Sequence, residues 1–181
     1  MNKPFSRLLA LVVALSLCVN AGAQSSCKHE IAVSYGLGST SGFVAVTASV
    51  FAAIFGSTLD YAFIGPVAGE YFYHVSDLVG VGAVAGYAAF LDKAKPGEAP
   101  MTCVALLPGV KLDWLRRTHF GMYSKVCAGA AYLTNPGADG TLFFNFQVSL
   151  LGLEFGSGVR GFVEGGAGEQ GFLLAGVRFR F

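Results

Sequence analysis

The last ten residues, Phe172-Leu173-Leu174-Ala175-Gly176-Val177-Arg178-Phe179-Arg180-Phe181, constrain the fold more than any other stretch. Leu173, Ala175, Val177, Phe179 and Phe181 fall on one face of an extended chain. Phe172, Leu174, Gly176, Arg178 and Arg180 fall on the other. A period of two marks a strand. One face is wholly apolar and the other carries two guanidinium groups. A soluble barrel would put polar side chains outside. This strand suits the reverse, with hydrocarbon outside and a filled lumen within.

The other end of the chain agrees. Lys3 and Arg7 precede an apolar run from Leu8 to Val19, and Ala21-Gly22-Ala23 follows. This is the order of an export leader with an A-x-A cleavage site. The run is short for a membrane span. Residues 1–23 are therefore expected to be a signal peptide and residues 24–181 a single barrel domain. A lipoprotein alternative would use Cys18, but Leu17 is bulky where a small residue is wanted.

Hydrophobic residues make up 54% of the chain, and mean hydropathy is +0.58. Yet no stretch after the leader supplies the roughly 20 apolar residues of a spanning helix. Residues 43–55 and 78–91 come nearest and are too short. A closed barrel satisfies both facts, because hydrocarbon tolerates no unpaired backbone. The rival is an inner-membrane protein of two or three short helices. Of 12 basic residues two lie in the leader, so the rest nearly balance the 11 acidic ones. No basic field attracts nucleic acid. Cys27, Cys103 and Cys127 show no C-x-x-C spacing, so no metal site is expected.

Eight alternating segments can be counted, at about 30–38, 59–74, 78–91, 101–115, 120–133, 142–154, 159–168 and 171–181. Short links alternate with longer or irregular ones. The expected fold is all-β: an eight-stranded antiparallel up-and-down transmembrane β-barrel. An even count puts both termini on one side, the periplasmic one by the short turns. Phe43, Val46, Val50 and Ile54 recur at helical spacing, so a short helix is expected in the first extracellular loop, with a strand pair as its alternative. Cys103 is expected opposite about Tyr132, too far along the ladder from Cys127 for a disulfide.

Several pieces resemble the small outer-membrane barrels of OmpA/OmpX type, and a group of such proteins from Gram-negative anaerobes above all. They are Gly65-Pro66 with Glu70-Tyr71-Phe72-Tyr73, Leu78-Val79-Gly80-Val81-Gly82, and Phe120-Gly121-Met122-Tyr123-Ser124-Lys125. Arg160-Gly161-Phe162-Val163-Glu164 and Gly168-Glu169-Gln170-Gly171 complete the match. It spans about residues 30–181. Gly176, Phe179 and Phe181 match the terminal signal read by barrel-insertion machinery, although Leu174 stands where a polar residue is usual. The resemblance implies an outer-membrane barrel and supplies no activity.

Chemistry-bearing motifs are few. Gly166, Gly168 and Gly171 spell G-x-G-x-x-G, but a strand follows where a dinucleotide site needs a helix, so a hairpin is expected. His74, Ser76 and Asp77 lie in one turn and are read as solvated turn residues rather than a triad. No catalytic residue, cofactor or metal is expected. Alternation turns Glu70, Lys111, Lys125, Glu164 and Arg178 inward at one depth, with Asp113 one step lower. An eight-stranded lumen is just wide enough for side chains. This layer reads either as a salt-bridge plug or as an ion path. Beyond it the inward positions turn small or apolar. Phe90, Ala105, Leu107, Phe172 and Leu174 either line a cup for a small hydrophobic ligand or pack the space closed.

The expected protein is thus a monomeric, non-enzymatic barrel of the Gram-negative outer membrane, with a structural, surface-interaction or envelope-integrity role. Its partners are outer-membrane lipid and the insertion machinery. The alternative is a porin-like barrel that binds or transports a small hydrophobic molecule.

Overall fold

A computed structural model describes residues 27–40, 42, 61–92, 100–134 and 139–181. The leader over residues 1–23 and the helix expected over 43–55 lie outside the described residues. The described residues form eight strands. They are β1 (His29–Leu37), β2 (Tyr61–His74), β3 (Val79–Asp92), β4 (Met101–Arg116), β5 (Phe120–Thr134), β6 (Thr141–Gly156), β7 (Val159–Gly168) and β8 (Leu173–Arg180). Each pairs antiparallel with its sequence neighbours, and β8 returns to β1 to close the barrel. No free sheet edge runs the full height of the wall, as a barrel in hydrocarbon requires. Among the described residues no helix is long and apolar enough to cross a membrane.

Period-two patterning dictates the two faces. On β4, Val104, Leu106, Val110, Leu112 and Trp114 are exposed, while Cys103, Ala105, Leu107, Lys111 and Asp113 are buried. The outer face is mostly apolar, with Leu142, Phe144 and Leu150 exposed by 70, 72 and 71%. The backbone N–H and C=O of His29 and Phe181 exchange hydrogen bonds of 2.9 Å, fixing the start of β1 and the end of β8 at one rim. Aromatic rings gather there. His29 stacks on Phe181 with centroids 5.5 Å apart and meets Tyr73 at 5.2 Å. Phe120 meets Phe155 at 5.2 Å.

Three bulges break the alternation. The register shifts at Gly65-Pro66 of β2, where Pro66 has no N–H to donate, at Trp114 of β4 and at Leu150 of β6. Each extra residue reverses which parity faces the lumen. On β6 the buried residues are Asn145, Gln147 and Ser149 before the bulge, then Gly152 and Glu154 after it. The wall is also uneven. β4, β5 and β6 have 16, 15 and 16 residues, whereas β7, β8 and β1 have 10, 8 and 9.

Two expectations need correction. Phe172 does not face inward: it is 53% exposed. It precedes β8, and Gly171, at φ 114°, turns the chain just before it, so strand alternation does not reach that far back. His74 is not a solvated turn residue. It ends β2 with its ring in the lumen, 3% exposed, while Ser76 and Asp77 stay outside. Cys103 lies opposite Leu133, within one residue of the expected position. Cys127 lies opposite Gly109, so the two thiols are well separated along the wall, and Cys27, Cys103 and Cys127 are all free. Gly166, Gly168 and Gly171 belong to the β7–β8 hairpin.

Candidate functional site

The lumen holds the chemistry. The half nearer the termini contains a lattice of buried ions in two tiers. In the outer tier, Glu30 of β1 accepts hydrogen bonds from Lys111 Nζ at 2.8 and 2.9 Å and from Arg180 Nε at 2.9 Å. His74 Nε2 lies 3.2 Å from the same carboxylate, and its Nδ1 lies 3.5 Å from Asp113. Lys111 Nζ is also 3.3 Å from Asp113. Glu154 of β6 is the hub. Its Oε1 takes Arg160 and Arg180, each at 2.8 Å, and its Oε2 takes Arg178 at 2.9 Å.

The deeper tier is smaller. Lys125 Nζ donates to Glu70 Oε1 at 2.5 Å and pairs with Glu164 Oε2 at 2.9 Å. Glu164 also accepts from Ser149 Oγ at 2.6 Å and from the Tyr123 hydroxyl at 2.5 Å. Arg178 joins the tiers, reaching Glu30 at 2.9 Å, Glu70 at 3.3 Å and Glu164 at 3.5 Å.

The strand register explains how so many charges coexist. Lys111 and Lys125 sit directly opposite each other on β4 and β5, a like-charge pair that would repel. They reach in different directions, Lys111 into the outer tier and Lys125 into the deeper one. The Tyr123 ring stands at the boundary. Lys111 Nζ lies 4.2 Å and Arg178 Cζ 4.4 Å from its centroid. Arg178 also lies 4.3 Å from the Phe162 centroid. Cations over aromatic faces gain from the ring quadrupole without needing another anion. Gly152 is what admits the ring: a Cβ there would lie 2.3 Å from Tyr123 Cζ.

All six charges expected in the lumen, Glu70, Lys111, Asp113, Lys125, Glu164 and Arg178, are buried there. They are not one layer. Lys111 joins Glu30 and Asp113, apart from the Glu70, Lys125 and Glu164 group. Sequence reasoning missed Glu30, His74, Glu154 and Arg160 as members, and it turned Arg180 inward without placing it among them. Glu154 was hidden by the Leu150 bulge, since unbroken alternation from Asn145 would send it outward. Glu30 lies in β1, which alternates cleanly but whose other inward positions, Ala32, Ser34 and Gly36, carry no charge. Arg160 is the second residue of β7, just after a turn. The lattice is a set of neutralised ions, and among the described residues no group of His, Cys, Asp and Glu is arranged to hold a metal.

The far half of the lumen is mostly apolar. Phe90, Ala105 and Leu107 belong to one packed cluster with Ala68, Val84, Ala88, Cys103, Cys127 and Ala131. Leu174 is 1% exposed. Over β6 and β1 the filling is polar instead. Asn145, Gln147 and Ser34 are buried, and so are Glu169 and Gln170 of the β7–β8 turn. At the closing seam, Gly176 lies opposite Ser34, and Phe179 opposite Ile31.

No family model matches the chain, and no curated protein matches it. Among solved structures it is similar to the N-terminal β-barrel domain of OprF from Pseudomonas aeruginosa. Identity is 14%, the match covers 87% of this chain and 100% of that one, and the TM-score is 0.49.

Proposed function

We propose that this chain is a non-enzymatic outer-membrane barrel with a structural or envelope-integrity role, and that it is closed to ions. One observation carries the reading: the lumen is filled by charges that neutralise one another, from Glu30 and Arg180 at one rim to Glu70 and Lys125 midway. An ion entering it would have to break pairs whose separation is costly, because an unpaired buried charge is expensive. The apolar outer face and the aromatic rim favour lipid as the surroundings. In this reading both termini are periplasmic, the barrel works as a monomer, and Gly176, Phe179 and Phe181 are what the insertion machinery reads.

The alternative, carriage of a small hydrophobic molecule, would seat it in the far half. Phe90, Ala105, Leu107 and Leu174 would have to part for it, and their close packing favours the structural reading. Planar-bilayer recording separates the cases. The unmodified protein is expected to give no sustained current. Removing its gene is expected to raise detergent sensitivity and leakage of periplasmic contents. Steady open-channel current would overturn the sealed barrel, and an intact envelope in the deletion strain would overturn the integrity role.

A further inference from the structure

The β7–β8 connection does not stand up from the rim as a hairpin loop would. It folds down into the lumen. Glu169 and Gln170 are 3% and 1% exposed at the tip of a turn. Gly168 and Gly171 flank them at φ 140° and 114°, which lets the chain reverse inward. The turn is then held from three sides. On β6, the Gln170 N–H donates to Gln147 Oε1 at 2.8 Å, and the Glu169 N–H donates to the Phe146 carbonyl at 2.9 Å. On β1, the Phe172 N–H donates to the Leu37 carbonyl at 2.8 Å, and Gln170 Nε2 reaches Ser34 Oγ at 3.4 Å. On β2, Gln170 Nε2 donates to Glu70 Oε1 at 2.8 Å, the oxygen that also accepts from Lys125.

We infer that this turn is a clasp. It seats only when β1, β2 and β6 are in their closed positions, and once seated it pins the β1–β8 seam and covers the far half of the lumen. Two features show a built seat rather than a chance fold of the loop. Gly36 leaves the space into which the Gln170 carbonyl fits: a Cβ there would lie 1.6 Å from that oxygen. Gln147 both accepts from the Gln170 N–H and donates to the Gly171 carbonyl at 3.3 Å, reading the turn backbone twice. The clasp also ties the seam to the ion lattice, since Gln170 and Lys125 share one carboxylate oxygen.

Cys103 reports on the seat. Its thiol is 1% exposed and lies 3.5 Å from Glu169 Oε1. In a Cys27→Ser, Cys127→Ser background, a membrane-impermeant maleimide added to cells is expected to spare Cys103 in the folded, heat-modifiable barrel. Gly36→Ala should unseat the turn and speed labelling at least roughly tenfold, the loss of one or two hydrogen bonds to polar or charged partners, while a folded band persists. Tyr123→Phe is the control: it removes a lattice bond to Glu164 without touching the turn and should leave Cys103 protected. If Gly36→Ala yields no folded band, Gln170→Ala carries the same expectation at smaller amplitude. Protection unchanged in the folded variant, labelling of the background protein itself, or equal labelling in Tyr123→Phe would each overturn the clasp.

Discussion

Glu154 shows what one side chain can carry in this lumen. Three guanidinium groups, from Arg160, Arg178 and Arg180, converge on its two oxygens. Glu154→Gln keeps the shape and removes the charge that holds them together. Breaking one partner of a buried pair costs about 3–5 kcal/mol, so a loss of that order is expected in urea titrations of the folded barrel. Lys125 gives the complementary case. Lys125→Met takes from Glu70 and Glu164 the nearer of their two shared cations and leaves them only the longer contacts to Arg178. Adding Glu70→Gln to it removes one of those stranded charges. The double variant is expected to be more stable than Lys125→Met alone, and additive losses in that cycle would show that the lysine and glutamate do not act as a pair.

Elements matter here through their phase. β6 brings Glu154 to the lattice only because Leu150 is inserted, which turns Gly152 and Glu154 inward while Leu150 and Leu151 both face out. Deleting Leu150 would restore even alternation and drive Glu154 toward lipid, so no heat-modifiable barrel is expected on gels of that variant. β8 depends on its last residue in a different way. Phe181 is 56% exposed, so its burial adds little, but it stacks on His29 and completes the β1–β8 ladder. Deleting Phe181 is expected to lower the fraction inserted in cells, while barrels that do form keep nearly the parental unfolding midpoint. Unchanged insertion would remove its assembly role.

At the scale of the whole molecule, the ion lattice is shielded from solvent. Side chains of its pairs are 0 to 7% exposed. Mobile ions screen exposed pairs strongly and buried ones weakly. Raising salt from low ionic strength to roughly 1 M, where the Debye length falls to about 3 Å, is therefore expected to shift the unfolding midpoint little. A large shift would mean that water and salt reach the pairs in the native barrel. The uneven wall adds a second whole-molecule property. β7, β8 and β1 are short, and the inward turn of residues 169–171 fills the lumen behind them.

The sequence by itself determined the number of strands, their order and which face of most of them points outward. Alternation between apolar and polar side chains is local information, repeated along every strand, and a closed barrel of neighbours needs nothing more. The same alternation turned Glu70, Lys111, Asp113, Lys125, Glu164 and Arg178 inward. It could not say which would meet, because partners such as Glu30 and Lys111, or Glu70 and Lys125, are joined across the lumen and not along the chain. Only the tertiary structure decided the two tiers, the placing of His74 between Glu30 and Asp113, and the inward fold of Glu169 and Gln170. Glu154 joins those tiers through a bulge that resets the phase of β6 by one residue, and a one-residue shift exchanges the lumen for the outer face; the inward turn rests on the backbone freedom of Gly168 and Gly171.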